Sequence, residues 1–149
     1  MSLSFKNRGR LLWVTAALIV AAVIVLLFGT DEKTNRANIA FLSSYGWEVE
    51  EEPEEISHLL LPDTLNSVLE TYQTVVKAAG FDLLPYRGMR AVRYTYRVKN
   101  HRESASGQVV LHVFTVKNEI IAADLCSFLG DGFLLPVNDT SGQINPLSY

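Results

Sequence analysis

The chain has 149 residues, room for one ordinary domain, and its 48% hydrophobic and 19% charged residues exclude a disordered polymer. All sixteen acidic residues but only ten of the thirteen basic ones lie beyond position 30, so this part carries a formal charge of −6, which excludes a nucleic-acid binder. A single cysteine, Cys126, excludes an intramolecular disulfide, so the fold must stand on its core alone.

Residues 1–10 form a short basic tail with Lys6, Arg8 and Arg10. The run Leu11–Phe28 that follows is eighteen residues long, uncharged, with Thr15 as its one hydroxyl. As a helix it is about 27 Å long at about 1.5 Å per residue, close to the roughly 30 Å of a hydrocarbon core. We therefore expect a transmembrane helix over residues 11–29, with the lipid bilayer as its partner. Its length, and the lack of a small-residue cleavage site in FGTDEK, speak against a cleaved signal peptide. The basic residues before the span outnumber Lys33 and Arg36 after it, which puts the N-terminus in the cytoplasm and the rest outside it.

An extracytoplasmic α+β domain is expected over residues 34–135. A helix from Thr34 or Asn35 to Tyr45 places Ile39 and Leu42 on one side and stops at Gly46. Alternation then predicts a hairpin: Trp47 and Val49 in one strand, an acidic turn at Pro53, and Ile56, His58 and Leu60 facing inward in the next. Six of the eight residues from Glu48 to Glu55 are glutamates, which this reading puts on the hairpin's outer face and tip. A second helix opens at Pro62-Asp63, with Leu65, Val68, Leu69, Tyr72, Val75, Val76 and Ala79 along one face, and ends at Gly80.

Ala91–Lys99 alternates Val92, Tyr94, Tyr96 and Val98 with Arg93, Thr95, Arg97 and Lys99, a half-buried strand with a basic outer face. Asn100–Gly107 reads as a polar, mobile turn. Gln108–Val116 and Glu119–Leu125 read as central strands joined by a turn at Lys117-Asn118. Residues 136–149 lack periodicity and read as a disordered tail. The order is α-β-β-α-β-β-β, two helices packed on one face of an antiparallel sheet.

The stretches YGWEVE, GFDLLPYRG leading into RYTYRV, and DLCS followed by DGF give the chain, over roughly Asn38 to Phe133, a likeness to a known family. It resembles a domain-of-unknown-function family of small membrane-anchored or exported proteins from spore-forming Gram-positive bacteria. It departs from that family's pattern at Ala122-Ala123, where a glycine pair usually stands, and at Lys117-Asn118, where an Asp-Gly turn usually stands. The resemblance implies a bacterial envelope location and supplies no catalytic residue.

No motif names a reaction. The glutamates diverge along a strand and lack the D-x-D-x-D-G spacing of a calcium loop, and no nucleophile elbow, zinc helix or phosphate loop is present. No cofactor or metal is expected. His58, His101 and His112 are scattered over strands and a turn. The contact residues singled out are Asp124, a carboxylate inside IIAADLC; Arg93 and Arg97 of the basic face; and Glu50 and Glu52 of the acidic run. The glutamates are expected to pair with the basic strand across the sheet, and Asp124 to bond an arginine or backbone amides. Asn138-Asp139-Thr140 is a glycosylation sequon only in a eukaryotic secretory route.

The function expected from these features is a non-enzymatic binding or assembly module of the bacterial envelope. Its partner is an unknown protein or envelope component, or further copies of the chain in a homo-oligomer. The alternative is a small-ligand-binding domain or envelope enzyme centred on Asp124.

Overall fold

The computed structural model describes residues 32–64, 66–128 and 130–144. The span expected over residues 11–29 lies outside them, and among the described residues no helix is long and apolar enough to cross a membrane. By internal contacts the chain divides into Met1–Arg36 and Ala37–Tyr149. Of the first unit, residues 32–36 are described; they are helical, and Arg36 pairs with Glu32 one turn away at 3.5 Å.

Helix α1 runs over residues 32–44. Gly46 ends it at φ +80°, while the Gly46 amide donates to the Ser43 carbonyl and the Trp47 amide reaches back to Leu42. This left-handed cap tucks buried Trp47 beside buried Leu42.

Five antiparallel strands follow, β1 (Glu55–Leu60), β2 (Arg90–Arg97), β3 (Val109–Val116), β4 (Glu119–Ser127) and β5 (Phe133–Pro136), hydrogen-bonded in that order. Helix α2 (Ser67–Lys77) lies between β1 and β2 in sequence. The domain is thus two helices on a five-stranded sheet, in the order α-β-α-β-β-β-β.

Strand alternation divides the core into two clusters. Tyr94, Tyr96, Leu111, Val113, Ala123 and Leu125 pack with Leu42 and Trp47. Ala91, Ala122, Val116 and Ile121 pack with Leu69 and Val76 of α2. Ala122 and Ala123 are neighbours on one strand and so point to opposite faces. The two helices therefore cover opposite faces of the sheet, where one shared face was expected.

The predicted acidic hairpin does not form. Val49 makes only an isolated bridge, to Val98, while Glu55 pairs with Thr95. Both halves lie end to end along the same neighbour, and because six positions advance on one side against three on the other, three residues loop out between them. Ile56 and His58 share the face of Tyr94 and Val92, as parity predicts, but they sit on an edge strand at an uncovered corner: His58 is exposed and Ile56 is 45% exposed. Leu59, on the other face, packs beneath α2 instead.

Helix α2 starts later than its sequence pattern suggests, because the Asn66 side chain accepts the Leu69 amide at 2.8 Å and caps it there. Its buried face is Leu69, Gln73 and Val76, which leaves Val68 76% exposed. Gln73 is tolerated inside because it accepts from the Leu83 amide and donates to Asp82.

The segment read as a mobile turn is ordered by a 3₁₀ turn, Ser104–Ser106, and buries His101. The tail expected to be disordered begins inside β5, and residues 137–144 fold back onto the domain. The Trp47 indole donates to the Val137 carbonyl at 2.8 Å, Gln143 donates to the Tyr45 carbonyl, and the Ile144 amide donates to the Asn100 carbonyl. These anchors are distant in sequence, so no local pattern announces them.

Candidate functional site

Strands β3 and β4 meet at Lys117 (φ 50°) and Asn118 (φ 67°), both left-handed, as a two-residue hairpin turn requires. From that turn the register pairs Val116 with Glu119 and Thr115 with Ile120. Continued unbroken, it would set His112 opposite Ala123. A bulge between Phe114 and Thr115 shifts the pairing by one residue, so that His112 faces Asp124. The same shift completes a row across all five strands: Glu55, Thr95, His112, Asp124 and Pro136 stand directly opposite one another.

Asp124 is fully buried. The expectation that it bonds an arginine or backbone amides is replaced by two side chains: the Tyr72 hydroxyl of α2 donates to Oδ2 at 2.6 Å, and His112 Nδ1 lies 2.9 Å from Oδ1. Burial, reinforced by the Asp124 charge, pushes the Tyr72 phenol far above its ordinary value, so it keeps the hydrogen it donates. A carboxylate only accepts, so the network assigns the Nδ1 hydrogen to His112 and leaves Nε2 as the ring's other polar atom, on the side away from Asp124. Phe114 stacks near both rings, its centroid 5.6 Å from Tyr72 and 6.3 Å from His112.

Helix α2 leaves part of this sheet face uncovered. There Glu54, Glu55, Arg93, Thr95, Gly107, Gln108, Val110, His112 and Phe128 line an open groove of about 480 Å³. Phe128 stands 71% exposed at its rim. Thr95 is only 7% exposed, and its Oγ1, like the Nε of Arg93, is buried without a hydrogen-bond partner among the described residues. Asp124 does not reach the groove; His112 stands between them.

The acidic run does meet the basic strand. Arg93 pairs with Glu55 at 3.3 Å, Arg97 with Glu54 at 2.6 Å and Lys99 with Glu50 at 3.3 Å. The Ser57 hydroxyl, and after it the Arg93 guanidinium, hold the Glu55 carboxyl below its usual range. Glu52 is exposed in the looped-out stretch. The five residues singled out in the sequence are therefore not gathered at one point: Arg93 lines the groove, Asp124 backs it, and Arg97, Glu50 and Glu52 lie outside its lining.

Sequence reasoning missed His112, Tyr72 and Thr95. The parity of Asp124 was visible, but its partner across the hairpin depends on the bulge, which shifts register without a local signature. Cys126 is buried, and burial pushes its thiol up, which suits a packing role. Among the described residues, no group of three or more His, Cys, Asp or Glu side chains is placed to hold a metal ion.

Residues 41–125 match the family model of a domain of unknown function, DUF4830. The chain belongs to the DUF4830 family. The match runs from α1 through most of β4, so Tyr72, Arg93, Thr95, His112 and Asp124 all lie within the DUF4830 region. No curated protein and no solved structure matches the chain.

Proposed function

We propose that this chain is a single-pass membrane protein of the bacterial envelope. Residues 11–29 lie in the lipid bilayer, the N-terminus is cytoplasmic, and the DUF4830 domain is an extracytoplasmic, non-enzymatic binding module. The membrane reading rests on the uncharged run Leu11–Phe28 and the basic residues before it. The binding reading rests on one observation: α2 leaves uncovered a groove that brings Val110 and exposed Phe128 together with two buried polar atoms, Thr95 Oγ1 and Arg93 Nε, that have no hydrogen-bond partner among the described residues. The binding reading is preferred to catalysis at the groove because the Thr95 hydroxyl is not hydrogen-bonded to His112, which therefore does not activate it as a nucleophile.

The ligand-binding alternative centred on Asp124 takes a changed form. The buried carboxylate orients His112, and His112 presents the chemistry to the groove. The partner is a protein or envelope component, another copy of the chain included.

Photo-crosslinking in cells tests this reading. A photoreactive residue in place of Phe128 is expected to give a discrete adduct that the same residue at exposed Thr74 of α2 does not give. Identical patterns from both positions contradict a binding role for the groove.

A further inference from the structure

The polar atoms of the groove match one kind of ligand. His112 Nε2 on a neutral ring is an acceptor, the Arg93 Nε–H is a donor, and the Thr95 hydroxyl is both. A secondary amide has one N–H to give and one carbonyl oxygen that accepts twice. One N–H suits an acceptor such as His112 Nε2, and one twice-accepting oxygen suits donors such as Arg93 Nε and Thr95 Oγ1. Val110 and Phe128 supply apolar contact for the groups flanking such an amide.

Charge narrows the choice. Among the described lining residues Arg93 is already paired with Glu55, and Glu54 with Arg97, so a free carboxylate finds no unpaired guanidinium there. A sugar brings several hydroxyls that need partners, more than the two buried atoms without a partner among the described lining residues, Thr95 Oγ1 and Arg93 Nε, can serve.

We propose, building on the binding-module reading above, that this groove recognises a neutral peptide group through His112, Thr95 and Arg93. Tyr72 and Asp124 are positioning residues that hold the His112 ring with Nε2 free. Arg93 and Arg97 flank Thr95 on the same sheet face, each tied to a glutamate. Exposed ion pairs of this kind are weak, so an incoming ligand displaces them easily.

The same assignment explains why a buried hydroxyl is left without a partner. Leaving a polar group unpaired in the fold is unfavourable, and binding recovers what folding forgoes. Replacing Thr95 by isosteric valine should therefore raise the denaturation midpoint while weakening binding.

The test is an NMR titration of the purified full chain, labelled at threonine methyls and histidine rings, at about pH 8, where an ordinary imidazole is neutral. N-acetylalanine methylamide should shift the Thr95 and His112 signals saturably. Acetate and N-acetylglucosamine should bind at least about tenfold more weakly, and Thr95→Val should weaken the amide by about tenfold, the loss of one well-made hydrogen bond. The proposal is overturned by the absence of a saturable shift with the amide, by acetate or the sugar binding as tightly, or by unchanged affinity in Thr95→Val. If the Phe128 crosslink forms in cells while the amide does not bind, the peptide assignment fails and the binding-module reading stands. If neither occurs, both fail.

Discussion

At the scale of single residues, the fold depends most on how Asp124 is satisfied. A fully buried carboxylate costs several kcal/mol unless hydrogen bonds replace its water, and here Tyr72 and His112 do so. Tyr72→Phe keeps the ring against Phe114 and deletes one bond to a charged group, so it should destabilise the domain by about 1.5–3 kcal/mol. Urea unfolding at constant m-value measures this, and a loss below about 0.5 kcal/mol contradicts it. The variant also changes the alkaline limb. The folded state holds the Tyr72 proton above the phenol's ordinary value of 10.0, so stability is fully present below that pH and falls as pH rises through it. Tyr72→Phe should flatten this fall. It should not abolish it, because burial also raises Tyr96, to about 12. By contrast, the exposed Arg97–Glu54 pair contributes only about 0–1 kcal/mol and aligns the looped segment along β2 more than it stabilises it.

At the scale of elements, the returning C-terminal segment is an integral part of the fold. Val137 is fully buried and accepts the indole hydrogen of Trp47, ninety positions away in sequence. Ending the chain at Pro136 should therefore cost about 3–5 kcal/mol, from lost apolar packing and an orphaned indole N–H. A midpoint in urea that stays where it is in the full chain argues against this. The contrast with β2 shows what sequence can convey. Tyr94, Tyr96 and Val98 alternate with charged or polar neighbours because one face is buried along the strand's length, and that period is written locally. Gly46 and the Lys117-Asn118 turn were equally legible, since backbone geometry at a stop or a tight turn admits few residues. The acidic stretch misled because alternation identifies a strand's faces and leaves its neighbour open. The glutamates meet the basic strand as expected, but Val49 and Glu55 both pair along that strand where a hairpin between them had been expected. The site itself was half legible: the parity of Asp124 marked it, and the bulge that brings His112 opposite hid its partner.

At the scale of the whole molecule, the two helices protect the sheet unequally. Helix α1 packs on a face filled by Tyr94, Tyr96, Leu111 and Leu125, while α2 covers the Ala91, Ala122 and Phe114 end of the other face and leaves the Thr95 and Val110 end open. That asymmetry separates a stable core from a surface able to accept a partner, and it places His112 on the border between them. A face left open in this way is expected to be occupied in the cell. Carbene footprinting read by mass spectrometry tests this most directly, comparing the full chain in native membranes with the purified chain. Val68 on α2, 76% exposed, is the internal reference for Phe128, 71% exposed. Phe128 should be labelled in the purified chain and protected in native membranes while Val68 labels alike in both; equal labelling of Phe128 in the two states would mean that the face is empty.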